Sequence, residues 1–222
     1  MCFSAEASFI AAALLVPTGV LTIIRAYNTD PRYVPIAAMP FLFGLQQAME
    51  GMVWLRNGNA AEVERYSLAY MFFSWMAWPI WVPFSAYFLE TERRKPLYLL
   101  LAIVGGMLGA VQYFPYFAHV GWLTTQFLSH VIVYRGTELS DYIIGRDMTY
   151  SIYVVVVVGS LLLSSDVNVR IFGLLVAAVM VVTYLFFSYA YISVFCFGGA
   201  VMSLYLVWTI FSGGLRRPVM AI

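Results

Sequence analysis

Glu50 is a carboxylic acid inside an apolar run, "GLQQAMEGMVWLRN", that meets no other charge until Arg56. On a helix, Phe43, Gln47, Glu50 and Trp54 share one face through three- and four-residue spacings, with Gln46 beside them. An acid at membrane depth is costly and faces the protein interior, where it marks a functional feature. Two amides, a carboxyl and an indole on one stripe can hold a small polar ligand or pass a proton. The ordinary structural use is a hydrogen bond from Glu50 to Gln47 or to a tyrosine of another helix.

The other residues able to do chemistry are few. The chain has two cysteines, Cys2 and Cys196, and two histidines, His119 and His130. Thiolate, imidazole and carboxylate are ligands of zinc or copper, so Cys2, Glu50, His130 and Cys196 compose a conceivable metal set. Cys2 and Cys196 could instead pair as a disulfide in an oxidising compartment. A third use is a catalytic Cys–His pair with Glu50 as orienter or acid. No CxxC or HxxxH spacing separates these uses, and all three stay open.

The elements that position these residues follow from composition. The chain is 63% hydrophobic and 10% charged, against about 25% charged for a soluble domain. Too few charges remain to cover a soluble surface, so the expectation is one integral membrane domain over residues 1–222, with the lipid bilayer as its first partner. A net charge of +1 and no basic cluster beyond Arg93, Arg94 and Lys95 exclude a nucleic-acid partner. The opening "MCFSAEASF" lacks a basic region and is not expected to be cleaved.

Crossing the hydrocarbon takes about 20 helical residues. Apolar stretches near that length fall at 7–24, 35–55, 66–89, 96–114, 150–163, 171–187 and 192–211. The expected fold is an all-α membrane protein, a seven-transmembrane-helix bundle. Between the fourth and fifth stretches lies a long segment, about 115–149, that holds both histidines. Its "SHVIVYRG", β-branched and aromatic and closed by glycine, predicts a strand or hairpin capping the external mouth. Eight of the Lys and Arg residues (Arg25, Arg32, Arg93, Arg94, Lys95, Arg170, Arg216, Arg217) fall on one side and four (Arg56, Arg65, Arg135, Arg146) on the other. The positive-inside rule then puts the N-terminus outside and the C-terminus in the cytoplasm. At 1.5 Å per residue, Glu50 lies roughly 9 Å and Cys196 roughly 7 Å below the external end. Cys2, Glu50, both histidines and Cys196 thus share one external layer, while Glu90 and Glu92 on the other side read as partners of Arg93 and Arg94.

Several seven-helix activities are excluded by residue type. A retinal Schiff base needs a lysine in the last helix, and Lys95, at a membrane edge, is the sole lysine. Bis-histidine haem ligation needs histidines within the spans, as do histidine-rich membrane hydrolases. Trp75, Trp78 and Trp81 fall roughly on one face beside Pro79 and Pro83, which should kink the helix; packing is the common use of such residues, a ligand wall the rarer one. The "VGGMLG" run and Gly198–Gly199 are small-residue surfaces for close helix contact.

Four segments together resemble a known family: "MCFSAEASF", "QQAMEGMVWL", "SHVIVY" and "SVFCFGGAVMS" are similar to motifs of an uncharacterised bacterial membrane-protein family, a domain of unknown function. Its members open Met-Cys-Phe-Ser and carry a Gln-x-x-Glu-x-x-x-Trp-Leu pattern, a histidine segment and a late cysteine. The family often has His-His-Ile where this chain has His130-Val131-Ile132, and Trp before the late cysteine where this chain has Phe195. The resemblance implies a bacterial inner (plasma) membrane location and no activity. The functional expectation is an externally open polar pocket around Glu50, with Gln46, Gln47, Trp54 and His130 as ligand contacts and a small molecule, zinc or copper as occupant. A role without cytoplasmic output domain would call for a protein partner or a homo-oligomer. The rival expectations are a membrane-embedded enzyme using Glu50 with Cys and His groups, and a small proton-coupled transporter.

Overall fold

The computed structural model describes residues 4–136 and 145–213, apart from the side chain of Arg146. Ser4 accepts a hydrogen bond from the Ala7 amide and so caps α1, Ala5–Thr29. An Asp30-capped 3₁₀ turn and a short helical turn lead into α2, Met39–Leu55. Close approach of α1 and α2 rests on Gly19 and Gly44, where an added Cβ would fall 2.4 Å from the Phe41 backbone and 2.9 Å from Val16.

Next, α3, Ala60–Met71, runs through a π-helical segment, Phe72–Ala77, into α4, Trp78–Tyr87. Pro79 and Pro83 are accommodated within the helical rod, and the wide turn ahead of them supplies the irregularity. Then α5, Lys95–Ala118, packs along this π segment. A Cβ at Gly105 would lie 2.0 Å from the Pro79 carbonyl oxygen, and one at Gly109 2.7 Å from that of Trp75. The "VGGMLG" run is therefore a backbone-contact surface, as its small residues indicate. Because α5 continues through Pro115 to Ala118 and the next helix begins at Arg146, the long segment between them is shorter at both ends than the hydropathy suggests.

That segment contains a two-stranded antiparallel hairpin, β1 Leu123–Leu128 and β2 Val131–Gly136, with Leu128 opposite Val131 across a two-residue turn. Beyond it come α6, Arg146–Val154, a second π segment at Val155–Gly159, and α7, Val167–Phe187. A 3₁₀ turn, Ser188–Ala190, leads to α8, Tyr191–Met202, and α9, Leu204–Phe211. This last stretch folds back on itself. Tyr205 reaches Asn168 at 3.4 Å, and a Cβ at Gly198 would meet Val179 at 2.3 Å.

Among the described residues, three helical stretches are long and apolar enough to cross a membrane: Ala5–Thr29, Lys95–Ala118 and Val167–Phe211. The fold is predominantly helical with one hairpin. Seven separate spans are not resolved by that criterion, because α2, α3 and α6 are shorter or interrupted by π turns.

The end opposite the hairpin departs from simple interfacial pairing. Glu90 is buried and accepts hydrogen bonds from Ser164 Oγ at 2.8 Å, Ser165 N at 2.6 Å and Ser165 Oγ at 2.7 Å. Arg94 stands 3.9 Å away and donates to the Leu163 carbonyl. Glu90 thus clamps two loops together, whereas Glu92 is exposed and pairs with Lys95. Nearby, Asp166 caps α7 and accepts from the Tyr33 hydroxyl.

Candidate functional site

Glu50 projects from α2 into complete burial, together with Gln46 and Gln47. The helical spacing places all three on the inward face, and tertiary packing supplies their partners. Ser193 of α8 donates its hydroxyl to Glu50 Oε1, while Oε2 has no hydrogen-bond partner. Gln47 lies beside the carboxyl with its amide outside hydrogen-bond geometry. Gln46 is fully engaged: its Nε2 donates to Ser74 Oγ at 3.0 Å, and its Oε1 accepts from Trp78 Nε1 at 2.9 Å. Ser74 Oγ in turn stands 3.3 Å from Cys196 Sγ, one turn of α8 beyond Ser193.

Ser74 sits in the first π segment, and that geometry matters. Its carbonyl accepts from the Tyr153 hydroxyl at 2.9 Å, joining α6 to the network. A π turn displaces carbonyls from their usual intrahelical partners and is frequent at functional sites. One chain of polar contacts therefore links α2, the π segment, α6 and α8 through Trp78, Gln46, Ser74, Cys196 and Tyr153.

The hairpin roofs this assembly. Phe127 of β1 packs edge-on against Trp54 at 5.6 Å, and Tyr134 of β2 stacks on Tyr70 at 5.0 Å. Ser67 Oγ meets Thr125 Oγ1 at 2.7 Å, and Glu64 accepts from the Gly121 amide. Under the roof is a cleft of about 490 Å³. Its polar inner wall includes Ser74, Ser193, Cys196 and Tyr153, and Arg135 stands in its lining as well. Tyr134 and Thr149 border the cleft too, with hydroxyl groups that are sealed from its space and make no hydrogen bond. Burial holds the Tyr134 phenol well above its ordinary range, so it stays a neutral O–H group.

The expected site residues divide under this geometry. Gln46, Gln47 and Glu50 come together, but they stand behind the cleft wall, with Glu50 one hydrogen bond removed through Ser193. Trp54 is half-buried at the hairpin contact and its indole N–H has no partner. His130 occupies the exposed hairpin turn, away from the buried carboxyl. Cys196 is a buried free thiol, and Cys2 lies outside the described residues. Among the described residues no group of three His, Cys, Asp or Glu side chains stands together. The residues that sequence reasoning missed are Ser74, Ser193, Tyr134, Thr149 and Tyr153.

A family model described as a family of unknown function, DUF6629, matches residues 1–219. The chain belongs to DUF6629. The match spans every residue of the site, from Gln46 to Cys196. No curated protein and no solved structure matches the chain.

Proposed function

We propose that this chain is an integral membrane protein, a seven-helix bundle whose hairpin-roofed cleft binds a small ligand from the external side. The three long apolar stretches and the 10% charge content support the membrane setting. The excess of Lys and Arg on the loops opposite the hairpin supports an external N-terminus and hairpin and a cytoplasmic C-terminus. One observation carries the binding role. The cleft of about 490 Å³ is bordered by polar residues of four elements, Arg135 of the hairpin, Ser74 of the π segment, Tyr153 of α6 and Ser193 of α8, and ligand sites are concave spaces of this kind with a few convergent polar groups. The volume is in the range of small-molecule sites, roughly 300–1,000 Å³.

In this reading Glu50 does not touch the ligand. Through Ser193 it holds one wall of the cleft, and Gln46 holds another through Ser74. The test is native mass spectrometry of protein extracted in mild detergent. Wild type should carry a bound mass that Ser188→Trp, which fills the cleft from its exposed rim, loses. A bare protein under every extraction condition would refute ligand binding. A reporter fused after Ile222 should be active only in the cytoplasm, and activity outside would invert the orientation.

A further inference from the structure

The cleft opens where the helices around it end. The 21 residues of α7 rise about 31 Å at 1.5 Å each, close to the roughly 30 Å of a bilayer's hydrocarbon. The Ser188–Ala190 turn that follows α7 therefore lies at one hydrocarbon boundary, and it lines the cleft. Gln112 and Tyr116 join it from the last turns of α5, and Thr149 and Tyr150 from the start of α6. Among the lining residues Arg135, Tyr150, Ser188 and Tyr189 stay exposed, so they form the mouth. Tyrosines at a boundary of this kind stand at headgroup depth. Just below them on α7, Tyr184, Leu185 and Phe186 are 71%, 66% and 69% exposed, a helix end that meets acyl chains rather than protein.

Arg135 gives the mouth its charge. Val131 and Val133 of β2 pack with Ala190 and Val194, and alternation along a strand puts Arg135 on that same face, toward the Ser188–Ala190 turn. It is the one charged side chain among the described lining residues, and no described acid pairs with it. We propose that the cleft takes the phosphodiester head of an anionic phospholipid from the leaflet on the hairpin's side, with Arg135 on the phosphate, an inference that rests on the cleft being a ligand site. A guanidinium matches two phosphate oxygens at once and holds them by charge-assisted hydrogen bonds. A zwitterionic head brings a cation as well, and the described lining has no acid to receive it. The head enters the cleft, while the acyl chains stay outside along the exposed end of α7.

The probes are dioleoyl phosphatidylglycerol and dioleoyl phosphatidylcholine, titrated into the full-length protein after delipidation in dodecyl maltoside and counted by native mass spectrometry. Phosphatidylglycerol should bind about tenfold more tightly, equivalent to about 1.4 kcal/mol. Arg135→Gln should abolish that preference, and Ser188→Trp should abolish the binding. Arg65→Gln, which removes an exposed charge of α3 on the same side but outside the lining, should keep both. Equal affinity for the two lipids, or an equal loss in Arg65→Gln, would overturn selection of an anionic head. Lipid binding that survives both Arg135→Gln and Ser188→Trp lies elsewhere on the surface and would overturn it too. Displacement of the lipid by equimolar glycerol phosphate would make the ligand a soluble anion and overturn the lipid source. In each case a mass carried from the cell and lost in Ser188→Trp would leave the cleft reading standing.

Discussion

Removing the Ser193 hydroxyl tests the link between Glu50 and the cleft wall. In Ser193→Ala, Glu50 Oε1 loses its donor, and Oε2 already has none. The carboxyl would then be completely buried without a hydrogen bond. Leaving a buried acceptor without its donor costs about 1–3 kcal/mol, more than the roughly 0.5–1.5 kcal/mol net of a typical hydrogen bond. The expected loss is therefore about 1–3 kcal/mol. Glu50→Gln should be tolerated for folding, because an amide oxygen can still accept from Ser193. The decisive quantity is the coupling in the cycle of Glu50→Leu, Ser193→Ala and the double variant. Leucine removes the acceptor, so the second substitution should cost at least about 1 kcal/mol less in that background. Reversible unfolding of the full-length protein in mixed micelles, followed by tryptophan fluorescence, measures each corner. Effects that add within about 0.5 kcal/mol are the signature of independent residues, and would refute the Glu50–Ser193 contact as a working link.

Other substitutions probe the frame around the site. Glu90→Ala should cost about 1–3 kcal/mol, since it strands the Ser164 and Ser165 donors, whereas Glu92→Ala should stay within about 0.5 kcal/mol; the same unfolding assay compares them. Gly105→Ala should destabilise by about 1–3 kcal/mol, because the new methyl meets a backbone carbonyl that cannot rotate away. At the link after α1, the Arg32 guanidinium holds the Asp30 carboxyl below its ordinary value of 3.8. The pair's contribution is therefore present above that value and fades as pH falls through the lower folded one. Since Arg32 is half-exposed, the contribution should not exceed about 1 kcal/mol, so the acid limb of stability in Asp30→Asn should be only slightly shallower than in wild type.

How much of this could be read in the sequence depended on how unusual each residue was for its surroundings. An acid in an apolar run has to face inward, so the burial of Glu50 with Gln46 and Gln47 was legible from spacing alone. Depth counting likewise put Cys196 in the same layer. The hairpin was legible in a β-branched run closed by glycine. The serines were not. A helical serine commonly turns back to its own backbone, and Ser85, Ser160 and Ser203 do so here, each bonding a carbonyl three residues earlier. Nothing in the letters distinguishes Ser74 and Ser193, which reach across to other helices. Glu90 was hidden differently, in a charged run where exposed Glu92 looks the same. The tyrosines of the cleft escaped because sixteen are spread along the chain, and choosing among them needs the tertiary arrangement.

The π segment at Phe72–Ala77 has a consequence for how the chain tolerates edits in length. Trp75, Trp78 and Trp81 follow one another at intervals of three, which on a uniform helix would spread them over about 120° of one side. Here each meets a different neighbour. Trp75 lies 4.8 Å from the Tyr116 ring, Trp78 stacks on Phe43 at 4.0 Å and bonds Gln46, and Trp81 donates to the Pro35 carbonyl. The wide turn absorbs an extra residue between two halves of one rod. Deleting a single residue there would restore an ordinary helix and leave α4 close to its present facing, because the wide turn absorbs the extra residue. It would also return the Ser74 carbonyl to an intrahelical partner and take it from Tyr153. The residue count between Met71 and Trp78 is thus as much a determinant of the site as any side chain in it.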